Sequence, residues 1–366
     1  MRIIIGADIV PTKTNIADFS FAHIEKLVDG TLVNILGKAD YRIFNLETPL
    51  ADKKAPIYKC GPNLIAPTSC INGIKKIGVN IFTLANNHIM DQDVKGLEST
   101  IEILKENKID YVGAGNNLEE AQKPYIIEKD GKKVGIYACA EHEFSIADEN
   151  YPGANPFDPF ESLDHISELK EQCDYVVVLY HGGKEHYRYP SPNLQKACRK
   201  MCDKGADLVV CQHSHCIGCE EKYNSSTIVY GQGNFIFNEC SNEYWDSSIL
   251  IDISFEDKMT LKYIPLEKEN EKIKLSENGN ILSGFYERSE QIRNKKFIEQ
   301  KYSEFAEKML QGYIYNVCGV SLPFRILNKL CGHRLKKKIS KKRKLAISNY
   351  IECEAHRELL LRGLKQ

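Results

Sequence analysis

The sequence predicts an α/β protein whose candidate site lies at strand ends, and three observations carry that reading. Short β-branched runs alternate with helix-like segments over the first two thirds of the chain. The runs are continuously apolar, as expected of strands covered on both faces. The polar residues capable of chemistry stand just past the ends of those runs.

The strand runs are 2–8, 41–46, 80–85, 111–113, 133–138, 175–180 and 208–212, with amphipathic helical stretches at 96–107, 161–172 and 193–204. Asp130-Gly131, between 126–129 and 133–138, is a hairpin signal because both residues tolerate positive φ. Residues 248–255 and 259–265 read as an antiparallel pair turning at 256–258, and the charged stretch 267–280 as an exposed loop. Helical patterning follows at 295–312 and 343–364. A domain over 1–266 and a helical extension over 267–366 are therefore expected.

Composition narrows the function classes. At 366 residues the chain is long enough for a sizeable core without disulfides or structural metal. Lys and Arg number 49 against 50 Asp and Glu, which excludes a globally basic nucleic-acid binder, and no nucleic-acid partner is expected. No apolar run reaches the roughly 18 residues of a membrane span. The first residues lack signal-peptide architecture, and 13 cysteines without framework spacing read as reduced thiols. The expected location is cytoplasmic. Cys216-Ile217-Gly218-Cys219 has no second pair at zinc-ribbon spacing and reads as two buried or loop thiols.

Five strand ends carry the chemistry: Asp8; Asn45 and Glu47; Asn86, Asn87 and His88; His181, with Glu185 four residues on; and His213-Ser214-His215. In open α/β sheets ligands bind outside the carboxyl ends of strands, so these tips should converge. Carboxylate, amide and imidazole together suit Mn, Zn or Fe better than Mg or Ca. If extended, His213 and His215 face the same side. Two carboxylates and four histidines exceed the needs of one tetrahedral ion and would suit two ions about 3.5–4 Å apart, with Asp8 as the candidate bridge.

These motifs resemble a known family. Gly6-Ala7-Asp8, Asn45-Leu46-Glu47-Thr48-Pro49-Leu50, Leu84-Ala85-Asn86-Asn87-His88-Ile89-Met90-Asp91, His181-Gly182-Gly183-Lys184-Glu185-His186, Gln212-His213-Ser214-His215 and Tyr230-Gly231-Gln232-Gly233-Asn234-Phe235-Ile236-Phe237 resemble, in order and approximate spacing, the CapA family of poly-γ-glutamate and capsule synthesis proteins. That family is a branch of the calcineurin-like metallophosphoesterase fold. The resemblance covers about residues 1–255. It implies a four-layered α/β/β/α sandwich, with Asp8, Glu47, Asn87, His181, His213 and His215 as metal ligands for one or two divalent ions. It makes His88 a general acid or electrostatic stabiliser near the substrate. Glu185 would orient His181 or contact substrate, and Asn45, Asn86 and Asn234 would line the site. The implied activity is hydrolysis, of a phosphoester before an amide, in capsule, poly-γ-glutamate or cell-surface polysaccharide biosynthesis. Partners would be an anionic polymer or phosphoester and other capsule-synthesis proteins. The alternative is a degenerate scaffold binding an acidic polymer or a synthase. Four departures stand out: Ala7 intervenes between Gly6 and Asp8, Gly182 replaces a tryptophan, Gln212 replaces a glycine, and Val10 stands where an Asp-x-His histidine would be.

Lys13, Lys53, Lys54, Lys59, Tyr187 and Arg188 follow motif strands and are candidates for a positive rim. Residues 333–344 hold eight Lys or Arg and no acid beside an apolar periodicity starting at Leu327. Two readings stand for 327–344: a solvated helix face, or a peripheral contact with the anionic inner face of the membrane.

Overall fold

The alternation of buried side chains along each strand fixes the layering. Residues 1–238, 242–317, 319–332 and 340–364 are described by the structure, a computed structural model. Among the described residues sixteen strands run in chain order as β1 (Arg2–Val10), β2 (Tyr41–Leu46), β3 (Ile81–Thr83), β4 (Asp110–Val112), β5 (Ala114–Gly115), β6 (Tyr125–Lys129), β7 (Lys132–Ala140) and β8 (Gly153–Ala154). They continue as β9 (Tyr175–His181), β10 (Leu208–Gln212), β11 (Glu220–Tyr223), β12 (Ser226–Tyr230), β13 (Asn234–Phe237), β14 (Ser247–Phe255), β15 (Met259–Glu269) and β16 (Lys272–Leu275).

One sheet has the order β16-β15-β14-β1-β2-β3-β4, with β13 also pairing β1; the other runs β11-β12-β10-β9-β7-β6. Ile3, Ile5, Ile43 and Ile81 of the first sheet meet Ile136, Val177, Leu179 and Val210 of the second in one core. The intervening residues face outward. Ile4, Phe44 and Phe82 pack under Phe19, Leu32, Ile74, Leu97 and Leu104 of the helices on that side. Tyr137, Val178 and Val209 pack under Ile166, Leu169, Cys198 and Met201 of the helices Ser162–Gln172 and Pro192–Asp203. The result is the four-layered α/β/β/α sandwich. Because both faces of each sheet are covered, the strands read as unbroken apolar runs.

The Asp130-Gly131 hairpin joins β6 to β7 with φ of 55° and 70°, as a type I′ turn requires. The 248–255 and 259–265 pair is present as β14 and β15. The expected loop at 267–280 is instead the end of β15, the edge strand β16 and the start of helix Gly279–Gln291. Accordingly one unit spans Met1–Glu299 and the other Gln300–Gln366. These residues beyond 266 therefore extend the first unit.

Cys216 and Cys219 are both buried and free. Burial pushes the Cys216 thiol up to about 11 and Cys219 well above its ordinary value, so neither is poised as a thiolate. Gly218 between them is required by packing, since a Cβ there would lie 1.7 Å from the Tyr230 carbonyl oxygen.

The second unit holds helices Leu322–Leu330, Lys341–Glu352 and Glu354–Leu364. Tyr315 packs edge-on to Phe324, and its hydroxyl oxygen accepts a hydrogen bond from Asn328 Nδ2 (2.6 Å). Leu322, Ile326, Leu327 and Leu330 are exposed. The basic stretch expected at 333–344 lies outside the described residues over 333–339. Among the described residues no helix is long and apolar enough to cross a membrane.

Candidate metal centre

Register places the site. In parallel pairing Asp8 of β1 stands opposite both Asn45 of β2 and Asn234 of β13. On the second sheet Gln212 of β10 stands opposite His181 of β9, so the residues after Gln212 start level with that ring. Glu47 follows β2, and Asn86, Asn87 and His88 follow β3. The same ends of the two sheets thus bring carboxylates and amides from one to imidazoles from the other.

Asp8 and Glu47 are fully buried, and His181, His213 and His215 nearly so. One donor atom each from Glu47, His213 and His215 lies within 4.8 Å of the others. His181 Nε2 lies 3.0 Å from Asn87 Oδ1, 3.1 Å from His213 Nδ1 and 3.3 Å from Glu47 Oε1. Its Nδ1 lies 3.3 Å from Asn45 Nδ2, which donates to Asp8 Oδ1 at 2.7 Å. His215 Nδ1 lies 2.8 Å from Asn234 Oδ1 and 3.4 Å from Asp8 Oδ2. Asn86 Nδ2 donates to Asn45 Oδ1 and the Leu46 carbonyl, which anchors the turn carrying Asn87 and His88.

Both Glu47 carboxylate oxygens and Asp8 Oδ2 are buried without a hydrogen-bond partner. Two imidazole nitrogens also face each other across 3.1 Å, where a single proton at most can serve both. Buried acceptors in such excess call for a cation. The donor chemistry, carboxylate, amide and imidazole, fits a divalent ion.

The electrostatics follow. Burial and the neighbouring Glu47 raise the Asp8 carboxyl above its usual range. Burial pulls the same way on Glu47, but His215 and His181 outweigh it and hold that carboxyl down. Burial and the two other rings push His213 well below an ordinary histidine. Burial opposes protonation of His215 too, yet Glu47, Asp8 and Asn234 raise it to about 9. A metal held at His215 would therefore displace a proton at neutral pH. Apparent affinity should strengthen by up to about tenfold per pH unit as pH rises toward 9 and level off above it. Metal titrations at successive pH values read this directly, and an affinity flat between pH 7 and 9 contradicts it.

His213 and His215 differ from their expected geometry. β10 ends at Gln212, and both histidines are left-handed, with φ of 84° and 52°. Their rings converge through that turn, with centroids 5.9 Å apart, and the alternation of an extended strand plays no part. Such backbone at non-glycine residues is strained and is retained where a site requires it. Glu185 is exposed, and among the described residues it makes no hydrogen bond or ion pair. The His181 ring contacts given above leave it no orienting role.

Two carboxylates, Glu143 and Glu141, stand where sequence order gave no hint. Asn87 Nδ2 donates to Glu143 Oε2 at 2.9 Å. Glu141 occupies the space beside Gly182, where a Cβ would meet its Cγ at 2.6 Å, and accepts from the Gly183 amide. Asp91 Oδ2 lies 2.6 Å from His88 Nδ1, while Lys59 forms an ion pair with Asp91 Oδ1. The spacing His88-x-x-Asp91 was the available signal for that pair. Trp245 supplies an aromatic wall on the other side, its ring centroid 5.1 Å from that of His215 and 4.5 Å from that of Phe237. Ala7 is accommodated, and Asp8 remains within β1. Gln212 Nε2 donates to the Gly6 carbonyl and so ties the two sheets together beneath the site. Val10 is buried with Phe237 and Trp245, so no ligand occupies that position.

Two sheets packed face to face between helices, with buried carboxylates and imidazoles at one set of strand ends, define an α/β/β/α protein with a candidate metal centre. Residues 7–239 match the bacterial capsule synthesis protein family PGA_cap, and the chain belongs to that family. It is 31% identical over 242 residues to the capsule biosynthesis protein CapA of Bacillus anthracis, covering 64% of this chain and 57% of that protein. It is 30% identical over 245 residues to the PGA biosynthesis protein CapA of Bacillus subtilis strain 168, covering 65% and 62%. The matched part thus spans about three fifths of these relatives. A solved structure described as a novel phosphatase of Mycoplasma pneumoniae overlaps weakly, at TM-score 0.46 and 15% identity, covering 74% of this chain and 94% of that one.

Proposed function

We propose that this protein is a metal-dependent hydrolase acting on a phosphoester in capsule or poly-γ-glutamate biosynthesis. The observation that carries the proposal is Glu47: a fully buried carboxylate that faces imidazoles and, beyond His181 Nε2 at 3.3 Å from Oε1, has no donor to satisfy it. Glu47, His213 and His215 would hold the ion, with Asp8, Asn87 and His181 completing the donor set. A bound divalent ion supplies a water nucleophile at neutral pH and polarises a phosphoryl oxygen.

The chain's own residues supply the rest. Asp91 Oδ2, 2.6 Å from His88 Nδ1, would orient the ring so that Nε2 faces a leaving group. Lys59 fixes Asp91 in turn. Trp245 and Phe237 screen one side of His215 from water. The names of the relatives support action alongside capsule-synthesis proteins. Contact with an anionic membrane surface through 327–344 belongs to the same proposal, supported by exposed Leu327 and Leu330. Liposome co-sedimentation of the full chain against one ending before Leu327 tests it; equal binding of both ends the idea.

A second reading, a non-catalytic scaffold for an acidic polymer or synthase, draws on Val10, which leaves the position of the Asp-x-His histidine without a ligand. The two are separated by hydrolysis of p-nitrophenyl phosphate and bis(p-nitrophenyl) phosphate with Mn²⁺. Turnover lowered at least about 100-fold in Glu47→Ala supports the hydrolase. Silence of the metal-loaded wild type across Mn, Zn and Fe favours the scaffold.

A further inference from the structure

We propose that Glu143 is a positioning residue for the candidate ligand Asn87 and sets which end of that amide faces the metal centre; this rests on the metal-binding part of the hydrolase reading and not on what the site hydrolyses. An asparagine side chain ends in an oxygen and an NH2 group of nearly equal size, and only the oxygen can hold a cation. The place of Asn87 after β3 therefore leaves its amide half specified.

The contacts of the buried Asn87 side chain specify the rest. Its Nδ2 donates to Glu143 Oε2 at 2.9 Å, and its Oδ1 lies 3.0 Å from His181 Nε2. An ionised carboxylate only accepts hydrogen bonds, so Glu143 can face the NH2 end and not the oxygen. A flipped amide would set oxygen against oxygen at that distance and turn its NH2 group toward His181. Glu143 thus does for Asn87 what the partner of a ligating histidine does for its ring.

Glu143 can hold this direction because the segment carrying it is tied down on both sides. Before it, the Glu141 amide donates to the His181 carbonyl (3.0 Å), and the Glu141 carboxylate accepts from the Gly183 amide (3.0 Å). The Glu143 amide donates to the Glu141 carbonyl (2.9 Å). After it, the Ser145 carbonyl accepts from the Ala154 amide (2.6 Å). The buried Ser145 hydroxyl donates to the Asn87 carbonyl (2.7 Å) and accepts from the Met90 amide (3.2 Å). One short segment after β7 therefore holds the main chain of Asn87 through Ser145 and its side chain through Glu143. Gly153 lets the segment close, since a Cβ there would lie 2.4 Å from the Ser145 carbonyl oxygen.

Glu143 itself is exposed, so it can be changed without opening the core. Mn²⁺ binding to the full chain, read by equilibrium dialysis and by electron paramagnetic resonance of the bound ion, tests the role without substrate. Glu143→Ala frees the amide and should weaken Mn²⁺ affinity about tenfold or more, with an altered bound-ion spectrum. Glu143→Gln keeps an acceptor of the same reach without the charge, and should recover most of that affinity and the wild-type spectrum. Thermal unfolding of the metal-free proteins should not differ. Wild-type affinity in Glu143→Ala overturns the proposal. Equal weakening in both variants overturns it too, by assigning the effect to charge, and a lower unfolding temperature in metal-free Glu143→Ala does so by making the residue structural. The hydrolase reading fails separately. A wild type that binds Mn²⁺ and shows the Glu143 effect, yet hydrolyses neither nitrophenyl ester, keeps the amide assignment and loses the enzyme. Hydrolysis that depends on Glu47, with no Glu143 effect on Mn²⁺ binding, does the reverse.

Discussion

Replacing His213 and His215 together by alanine is expected to reduce bound divalent metal to background by elemental analysis. Both rings are buried and contribute two of the three donors that come within 4.8 Å of one another. The same change removes His215, which faces both Glu47 and Asp8, and leaves Glu47 only His181. Buried carboxylates left without a partner are costly, so the metal-free variant should lose about 3–5 kcal/mol of stability. Adding Glu47→Gln should restore part of that stability without restoring metal, which distinguishes loss of ligands from misfolding. Wild-type metal content in the double variant would remove the basis of the site.

Asp91→Ala is expected to have the second largest effect. Asp91 is fully buried and serves three groups at once: His88 Nδ1, Lys59 Nζ and the Leu64 amide. Its loss strands the Lys59 ammonium, whose side chain is only 2% exposed, and should destabilise the protein by about 3–5 kcal/mol in denaturant unfolding. Asp91→Asn keeps the shape and one acceptor, and in that variant the chemistry can be read. Mn-dependent hydrolysis should fall about 10²–10⁴-fold through misdirection of the His88 proton, while metal content stays at the wild-type level. Unaltered turnover in Asp91→Asn would show that His88 acts without its aspartate.

The sandwich was legible because its strands are short, β-branched and covered on both faces, as in Ile3-Ile4-Ile5 and Val176-Val177-Val178. β16 was not, because Lys272-Ile273-Lys274-Leu275 is a four-residue edge strand whose lysines protect it from pairing with other chains and read as loop. Nearness in sequence brings Glu185 no contact with His181, four residues before it, and its side chain is exposed. Glu143 reaches Asn87 from 56 residues away, by a path only the folded chain shows. The histidine pair was found for its composition, while its left-handed backbone was invisible to a pattern of alternating residues. Trp245 and Glu141 illustrate one physical point. A wall or a filler is defined by volume in three dimensions, and Gly182 left a space that Glu141 took.

The central claim is that Glu47, His213 and His215 bind a divalent ion where two sheets meet. Anomalous diffraction from crystals grown with Mn²⁺, measured above the manganese edge, tests it most directly. A peak within ligand distance of Glu47, His213 and His215 is the predicted result. The absence of any peak there, with manganese bound elsewhere on the chain, would contradict it.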